Sequence, residues 1–334
     1  MLEASAVSDD PVTNLQLALG VELAVIPPYL YALWSIKPAS EGAGPEAREA
    51  ARTIRAVVYE EMLHAALVGN ILNAIGKTPL VTSNLMTYPG PLPGHLKTGP
   101  YAYNVFLGWL SIDTVDMFLQ IENPHWADPG EAVGGWTTLR EMYDQVIKEL
   151  GERKLPFNGG RQIVATDSPG AGRMLPVNSL QSATDAIDII LDQGEGLRPP
   201  EKEENPPVYK EDKDHEVAHY YQFQTIRDYL RDGHIMASRD IYPVIKNPDP
   251  QMYSPKQRAV NDRFNQVYAT MLKSMQEMFI SPSPTPFGST KFGRPTALMG
   301  ELKHLTAVLR SLGPVPGTMD LAGPSFEYLD GDAL

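Results

Sequence analysis

The chain has 334 residues, a net charge of −13 at pH 7 and no cysteine, and 43% of its residues are hydrophobic. This length and hydrophobic content suffice for one large domain or two ordinary ones. The lack of cysteine excludes disulfides, thiolate zinc sites, cysteine-bound iron–sulfur clusters and a cysteine nucleophile, and the acidic balance argues against binding to nucleic acid or to an anionic membrane.

We expect a cytoplasmic protein that does not span a membrane. The chain has no uninterrupted apolar run of about 18 residues, the length that crosses a bilayer as a helix. Its first ten residues are acidic and lack the basic and apolar regions of a secretory signal peptide.

The first predicted helix begins after Asp10-Pro11, because an aspartate cap followed by proline is typical of a helix start. An apolar stripe runs from Leu15 to Leu30, and Glu22 lies within it at the same helical phase. Pro27-Pro28 lack backbone donors, so they are predicted to interrupt or kink the helix just after Glu22.

The second predicted helix ends at Gly76 and carries Glu61 and His64 inside its apolar stripe. Three residues is nearly one helical turn, so both side chains project to the same side. In an antiparallel hairpin with the first helix, Glu22 and Glu61 meet at one height. A buried glutamate beside a histidine costs free energy unless something satisfies both side chains, and a metal ion does so well.

Residues 77–182 are predicted to form a long crossover, rich in proline and glycine at its start. It contains one helix from about Asn104 to Glu122 and another from about Thr137 to Leu150. A shorter helix from Ala183 to Gln193 follows the crossover.

The next predicted helix runs from about Asp212 to Arg231, and its stripe again holds a glutamate and a histidine three residues apart, Glu216 and His219. Two more amphipathic helices are predicted at 257–279 and 296–312.

The Glu-x-x-His spacing occurs four times in the sequence and is weak evidence on its own. Pro124 breaks one of the other two matches, Glu122 to His125, and the last match, which ends at His304, flanks its apolar stripe. A lone Glu–His pair is usually a surface contact, and a lone histidine on an apolar face is usually a satisfied core residue. The pairs Glu61/His64 and Glu216/His219 differ from such surface pairs, because they occupy positions where the apolar stripe of a buried helix face would otherwise continue.

Three glutamates are candidates for the last carboxylate ligand of the metal site. Glu195 is preferred because it continues the stripe of Leu191 and lies shortly before the 212–231 helix. Glu122, in phase with Phe118, and Glu141 are the alternatives.

Glu-x-x-His on two helices, with a glutamate from each of two others, is the arrangement of di-metal carboxylate proteins in four-helix bundles. We therefore predict an all-α ferritin-like four-helix bundle in a single domain spanning 1–334. Its core covers about 12–76 and 183–232, with the crossover at 77–182 and a helical C-terminal extension at 240–334. Carboxylates with imidazoles suit iron in a di-iron centre, with manganese or zinc as alternatives.

Several longer strings, spread over nearly the whole chain, point to a family. They are Glu22–Ile36, Glu60–His64 followed by Gly69–Gly76, Phe118–Pro124, Gln193–Gly196, Glu216–Phe223 and Ala322–Glu327. Together they resemble the ferritin-like domain of the iminophenyl-pyruvate dimer synthase type. Enzymes of this type take part in bisindole natural-product assembly and oxidatively couple two imines derived from an aromatic amino acid. The resemblance implies six metal-site positions: Glu22, Glu61, His64, Glu195, Glu216 and His219.

The functional expectation is a non-haem di-iron oxidase or oxygenase of natural-product biosynthesis. It would act on a small aromatic or amino-acid-derived metabolite with dioxygen, and the candidate assembly is a homodimer. In this scheme Glu61 or Glu216 bridges two metals, and His64 and His219 bind one each. The alternative is a non-catalytic metal-binding or scaffold subunit of a biosynthetic complex.

Overall fold

The computed structural model describes residues 10–93, 104–123, 139–164, 173–195, 217–281, 285–286 and 294–329. Nine α-helices lie within these residues: α1 Pro11–Ser35, α2 Pro45–Ala74, α3 Ile112–Ile121, α4 Leu139–Arg153, α5 Leu180–Glu195, α6 His219–Arg231, α7 Ala237–Asp240, α8 Pro255–Ile280 and α9 Arg294–Ser311. The described β-structure consists of two-residue strands: β1 Gly90–Pro91 is antiparallel to β2 Asn104–Val105, and β3 Ile163–Val164 is parallel to β4 Thr285–Pro286. The predicted all-α fold is confirmed.

The α1–α2 hairpin forms the centre of the fold and packs along most of its length. Asp10 caps α1 as predicted, because its side chain accepts from the Thr13 amide while Pro11 occupies the first turn. Almost every residue of α1 is buried, since α2, α4, α9 and the non-helical segment 80–88 pack against it. Its apolar window is long enough to cross a membrane but lies entirely inside the bundle, as is usual for a core helix.

The prediction that Pro27-Pro28 interrupt the first helix is wrong, since α1 continues through both prolines to Ser35. Pro28 lacks the amide that would bond the carbonyl of Ala24 one turn earlier. The Tyr88 hydroxyl donates to that carbonyl at 2.6 Å instead, so the freed acceptor is satisfied from outside the helix.

Four further helices surround the hairpin and complete the bundle. α4 packs on α1 and α5, α5 on α2 and α6, and α3 on α6. The helix expected from about Asn104 begins only at Ile112, because Asn104 and Val105 pair with β1 and Ser111 caps the helix.

The last two long helices, α8 and α9, pair with each other and pack against the outside of the hairpin. A Cβ placed on Gly69 of α2 would lie 2.0 Å from the ring of Phe279 on α8. Glycine at this position therefore permits the close approach of the two helices.

Candidate metal centre

Five buried side chains that can bind metal converge inside the bundle. α1 supplies Glu22, α2 supplies Glu61 and His64, Glu122 follows the last residue of α3, and His219 is the first residue of α6. Each of the five is at most 4% exposed. Four separate helices therefore contribute to one site, as a bundle-core metal centre requires.

The first group contains Glu22, Glu61 and His64, one oxygen or nitrogen of each lying within 4.8 Å of the others. His64 Nδ1 is 3.3 Å from Glu61 Oε2 and 3.4 Å from Glu22 Oε2. The one-turn spacing of Glu61 and His64 places both on the same face of α2, as predicted.

The second group contains Glu61, Glu122 and His219 under the same distance limit. His219 Nδ1 is 3.0 Å from Glu61 Oε1 and 3.6 Å from Glu122 Oε2. Glu61 thus belongs to both groups and turns a different oxygen toward each. A carboxylate that bridges two metal ions would have this arrangement.

Both histidines present Nδ1 to the centre and use Nε2 for an outer partner. His64 Nε2 lies 2.9 Å from Gln193 Oε1 on α5, and His219 Nε2 lies 2.7 Å from Glu60 Oε2 on α2. An imidazole that donates from one nitrogen keeps the other free as a metal ligand. The two outer partners differ in charge, one being an amide and the other a carboxylate.

Two buried tyrosines hold the carboxylates at either side of the centre. The Tyr29 hydroxyl donates to Glu122 Oε1 at 2.5 Å, and the Tyr143 hydroxyl donates to Glu22 Oε1. Each of these glutamates therefore has one oxygen fixed by a tyrosine and the other facing the histidines.

Burial and mutual charge shift every acid and base in the centre. Burial raises the pKa of Glu22 to about 7 and, helped by the charge of Glu61, also raises the pKa of Glu122. Burial acts to lower the pKa of His64, but the charge of Glu61 and the contact with Glu22 outweigh it and raise that pKa to about 10.

Glu61 and His219 shift in the directions expected of an ion pair. Burial acts to raise the pKa of Glu61, but the two histidines outweigh it and lower that pKa. Burial acts to lower the pKa of His219, but Glu122 and Glu60 outweigh it and raise that pKa. Without a metal, protons on the imidazoles neutralise the carboxylates.

The residues fit a metal pair because the centre keeps buried polar atoms without hydrogen bonds. Glu61 Oε1 and His219 Nδ1 lie 3.0 Å apart, within the distance of an ion pair, yet neither atom forms a hydrogen bond among the described residues. A buried polar atom left unsatisfied costs about 1–3 kcal/mol. Carboxylate oxygen and imidazole nitrogen are donors that suit iron, manganese or zinc, so a cation satisfies both atoms.

The structure thus brings together Glu22, Glu61, His64 and His219, all of them named from the sequence. The further carboxylate at the centre is Glu122, which the sequence offered as an alternative. Glu195 ends α5, and its side chain lies outside the described residues. Its neighbour Gly194 borders the centre, since a Cβ there would lie 3.3 Å from Glu122 Oε2. Glu141 is half-buried on α4 and belongs to neither group.

Glu216 lies outside the described residues, and the helix predicted to contain it is different from the observed one. Val217 and Ala218 are not helical, and Ala218 caps α6 in an extended conformation, so the helix begins at His219 rather than near 212. The expectation that Glu216 and His219 share one helical turn is therefore wrong. His219 reaches the centre from the helix end.

Sequence reasoning missed Glu60, Gln193 and Tyr143. Glu60 is one residue from Glu61, about 100° around α2, so the helical phase that selects Glu61 gives no signal for Glu60. It reaches His219 because α6 packs beside α2 on that side. Gln193 was taken as a helix end, although its place on the buried side of α5 could have marked it.

A family model described as ferritin-like matches residues 15–228, a span that includes both groups of the centre. Two curated relatives are the dichlorochromopyrrolate synthase of Lentzea aerocolonigenes, 26% identical over 95% of this chain, and the 2-imino-3-(indol-3-yl)propanoate dimerase of Chromobacterium violaceum, 25% identical over 90%. The chain spans about a third of their length, 36% and 31% respectively. A solved ferritin-like protein from Caulobacter vibrioides is 26% identical, with a TM-score of 0.63, and the match covers 92% of this chain and 96% of that one.

Proposed function

Because this chain belongs to the ferritin-like family, we propose that it is a non-haem di-iron oxidase or oxygenase acting on a small aromatic or amino-acid-derived metabolite, with dioxygen as co-substrate. The observation that carries the proposal is Glu61, whose two oxygens face two separate ligand groups. In a structural metal site, protein side chains fill every coordination position of one ion. Two adjacent ions with free coordination positions suit redox chemistry on a bound small molecule.

Two metal positions follow from the two groups. Glu22, Glu61 and His64 would hold one ion, and Glu61, Glu122 and His219 would hold the other, each histidine through Nδ1. Glu195 and Glu216 remain our proposed additional ligands, in keeping with the family resemblance. Iron is the proposed metal, and manganese and zinc share the same donor preferences.

Ferrous ions bound there would supply electrons for the reduction of dioxygen. The chain itself orients the ligands and excludes water. Tyr29 and Tyr143 keep Glu122 and Glu22 turned toward the centre, and Gln193 and Glu60 keep the histidine tautomers fixed.

The described residues leave little space beside the ligands. The cavity there has a volume of about 20 Å³ and is lined by the candidate ligands and by apolar side chains: Glu22, Glu61, His64 and Glu122 together with Val21, Val25, Ile121, Ile190 and Leu191. That volume accommodates a water molecule or dioxygen, but no aromatic ring. In this proposal dioxygen therefore occupies the cavity and the aromatic substrate lies outside it.

The substrate class rests on the relatives. One relative is named for a pyrrolate that it makes, and the other for an indole-bearing 2-imino acid that it dimerises. Since this chain spans about a third of those proteins, transfer of the aromatic substrate class to it is part of the proposal.

The test is anaerobic loading with ferrous iron, followed by metal analysis and oxygen-electrode measurements with a panel of aromatic 2-oxo and 2-imino acids. We expect two irons per chain and oxygen uptake that rises with one class of these acids. Loading below one iron per chain would refute the di-iron centre.

The second candidate is a non-catalytic metal-binding or scaffold subunit of a biosynthetic complex. The small cavity at the centre favours it, because about 20 Å³ leaves no room for an aromatic substrate beside the candidate ligands. Two irons per chain without oxygen uptake from any aromatic acid would favour this candidate over the oxidase.

We also propose a cytoplasmic location and a homodimeric assembly, without nucleic-acid or membrane partners. The net charge of −13 supports the lack of anionic partners. Sedimentation velocity at micromolar concentration tests the dimer, and a single monomeric species would refute it.

A further inference from the structure

A second cavity, here called the basic groove, lies between the end of α1, the first half of α2 and α9. Its volume is about 700 Å³, within the range of small-molecule sites. It is defined by six cationic side chains: Lys37, Arg48, Arg52, Arg55, Lys303 and Arg310. It shares no lining residue with the cavity at the metal centre.

Helical spacing aligns these cations in two rows. Arg48, Arg52 and Arg55 follow one another at intervals of four and three, so they lie along one face of α2. Lys303 and Arg310 are two turns apart on α9, on the face that borders the same groove. In a chain of net charge −13, this concentration of positive charge is a local exception.

The positive charge is not neutralised within the groove. Arg52, Arg55 and Lys303 form no ion pair among the described residues. The lining contains one carboxylate, Glu41, which accepts a hydrogen bond from the Tyr242 hydroxyl. Like charges facing each other across a groove repel, and an anion between them removes that repulsion.

Aromatic and apolar side chains form the floor. The Arg310 guanidinium lies 3.7 Å from the centre of the Tyr242 ring and donates to the Trp34 carbonyl at 2.9 Å. Arg310 is thus held in place by a stacked ring and a hydrogen bond, ready to bind a planar anion. Leu33 and Ile36 line the groove beside it.

We propose that the basic groove binds a small aromatic molecule carrying two or more anionic groups. The arginines of α2 and Lys303 of α9 pair with the anionic groups, since guanidinium and carboxylate or phosphate match in geometry. The aromatic body lies against Trp34 and Tyr242. The groove and the cavity at the metal centre share no lining residue, so the two sites are distinct.

The test is calorimetric titration of the metal-loaded protein with benzene-1,3,5-tricarboxylate, followed in parallel by tryptophan fluorescence. We expect saturable binding of one molecule per chain and a change in fluorescence that the Trp34→Phe variant loses while it still binds. The double variant Arg52→Gln/Arg55→Gln should bind about tenfold more weakly. Both arginines are exposed, so the variant should fold normally, which its unfolding midpoint checks.

The matched control is Lys256→Gln/Arg258→Gln, which removes two exposed positive charges on α8 away from the groove. Its affinity for the tricarboxylate should equal that of the parent protein. The proposal is overturned if the tricarboxylate gives no saturable binding, if the control weakens binding as much as the α2 variant, or if inorganic phosphate or benzene-1,3,5-tricarboxamide binds equally well. An acidic decapeptide that binds where the tricarboxylate does not would overturn it in favour of a protein partner.

Discussion

Replacing Glu61 by glutamine should weaken both metal positions at once, because Glu61 is the residue that the two groups share. Its Oε2 lies 3.3 Å from His64 Nδ1, and its Oε1 lies 3.0 Å from His219 Nδ1. Glutamine keeps the size of the side chain but removes its charge and converts one oxygen into an amide nitrogen, which is a poor metal ligand.

The magnitude follows from the ligand count. Each group offers three side chains, and the substitution removes an anionic donor or its charge from both. Loss of a residue that merely supports a ligand already costs about 10–100-fold in metal affinity. We therefore expect at least about a tenfold loss at each of two binding steps, or about 1.4 kcal/mol per step. Glu22→Gln, which touches one group only, should weaken a single step.

The assay is anaerobic titration with ferrous iron in competition with a chromophoric chelator, with metal analysis of the dialysed protein. The matched control is Glu149→Gln, a buried carboxylate on α4 that bonds Asn14 and Gln145 away from the centre. Its two binding steps should match those of the parent protein.

Two results would refute this reasoning. If Glu61→Gln still loads two irons with parental affinities, Glu61 does not bridge. If the variant loses one iron-binding step and keeps the other unchanged, Glu61 binds one ion only. Its position between both ligand groups would then not describe the iron-loaded centre.

Three further outcomes are expected. In the metal-free protein the pKa of Glu22 is raised from 4.5 to about 7. Protonated Glu22 therefore contributes fully to the free energy of unfolding below pH 4.5, and this contribution, up to about 3 kcal/mol by linkage, is lost as the pH rises through 7. Urea unfolding at several pH values should show this loss, and the same dependence of the unfolding free energy on pH in Glu22→Gln would contradict it. Glu60→Gln removes the anion that orients His219 and should weaken one of two iron steps about tenfold; equal weakening of both steps would contradict the assignment. Gly69→Ala forces a Cβ to within 2.0 Å of the Phe279 ring and should lower the free energy of unfolding by about 1–3 kcal/mol, with recovery in a Gly69→Ala/Phe279→Leu double variant; no recovery would show that the ring is not the obstacle.

The part of the site that lies in helix interiors was predictable from the sequence. Glu22, Glu61 and His64 sit within long periodic stripes, where phase alone determines which side a residue faces. Glu122 and His219 sit at helix ends, where the stripe stops and tertiary packing decides the direction of the side chain. The helical phase therefore predicted correctly that His219 faces the centre, but it placed His219 inside the helix rather than at its first residue.

The fold class was equally accessible, whereas the continuity of α1 was not. Two successive prolines normally end a helix, and nothing local to Pro27-Pro28 predicts otherwise. The donor that satisfies the carbonyl of Ala24 is Tyr88, which is 64 residues away in the chain. Only the folded arrangement supplies it.

The positions of the candidate ligands along their helices give the two halves of the centre different degrees of backbone restraint. Glu22, Glu61 and His64 are locked by complete turns of backbone on either side, so the distances among them resist change. Glu122 caps α3, and His219 opens α6, and terminal residues lack part of that restraint. The position held by Glu22, Glu61 and His64 should therefore select cations by ionic radius. The position that includes Glu122 and His219 should accept ions of several radii, because these two side chains can shift when the radius of the ion changes with its oxidation state.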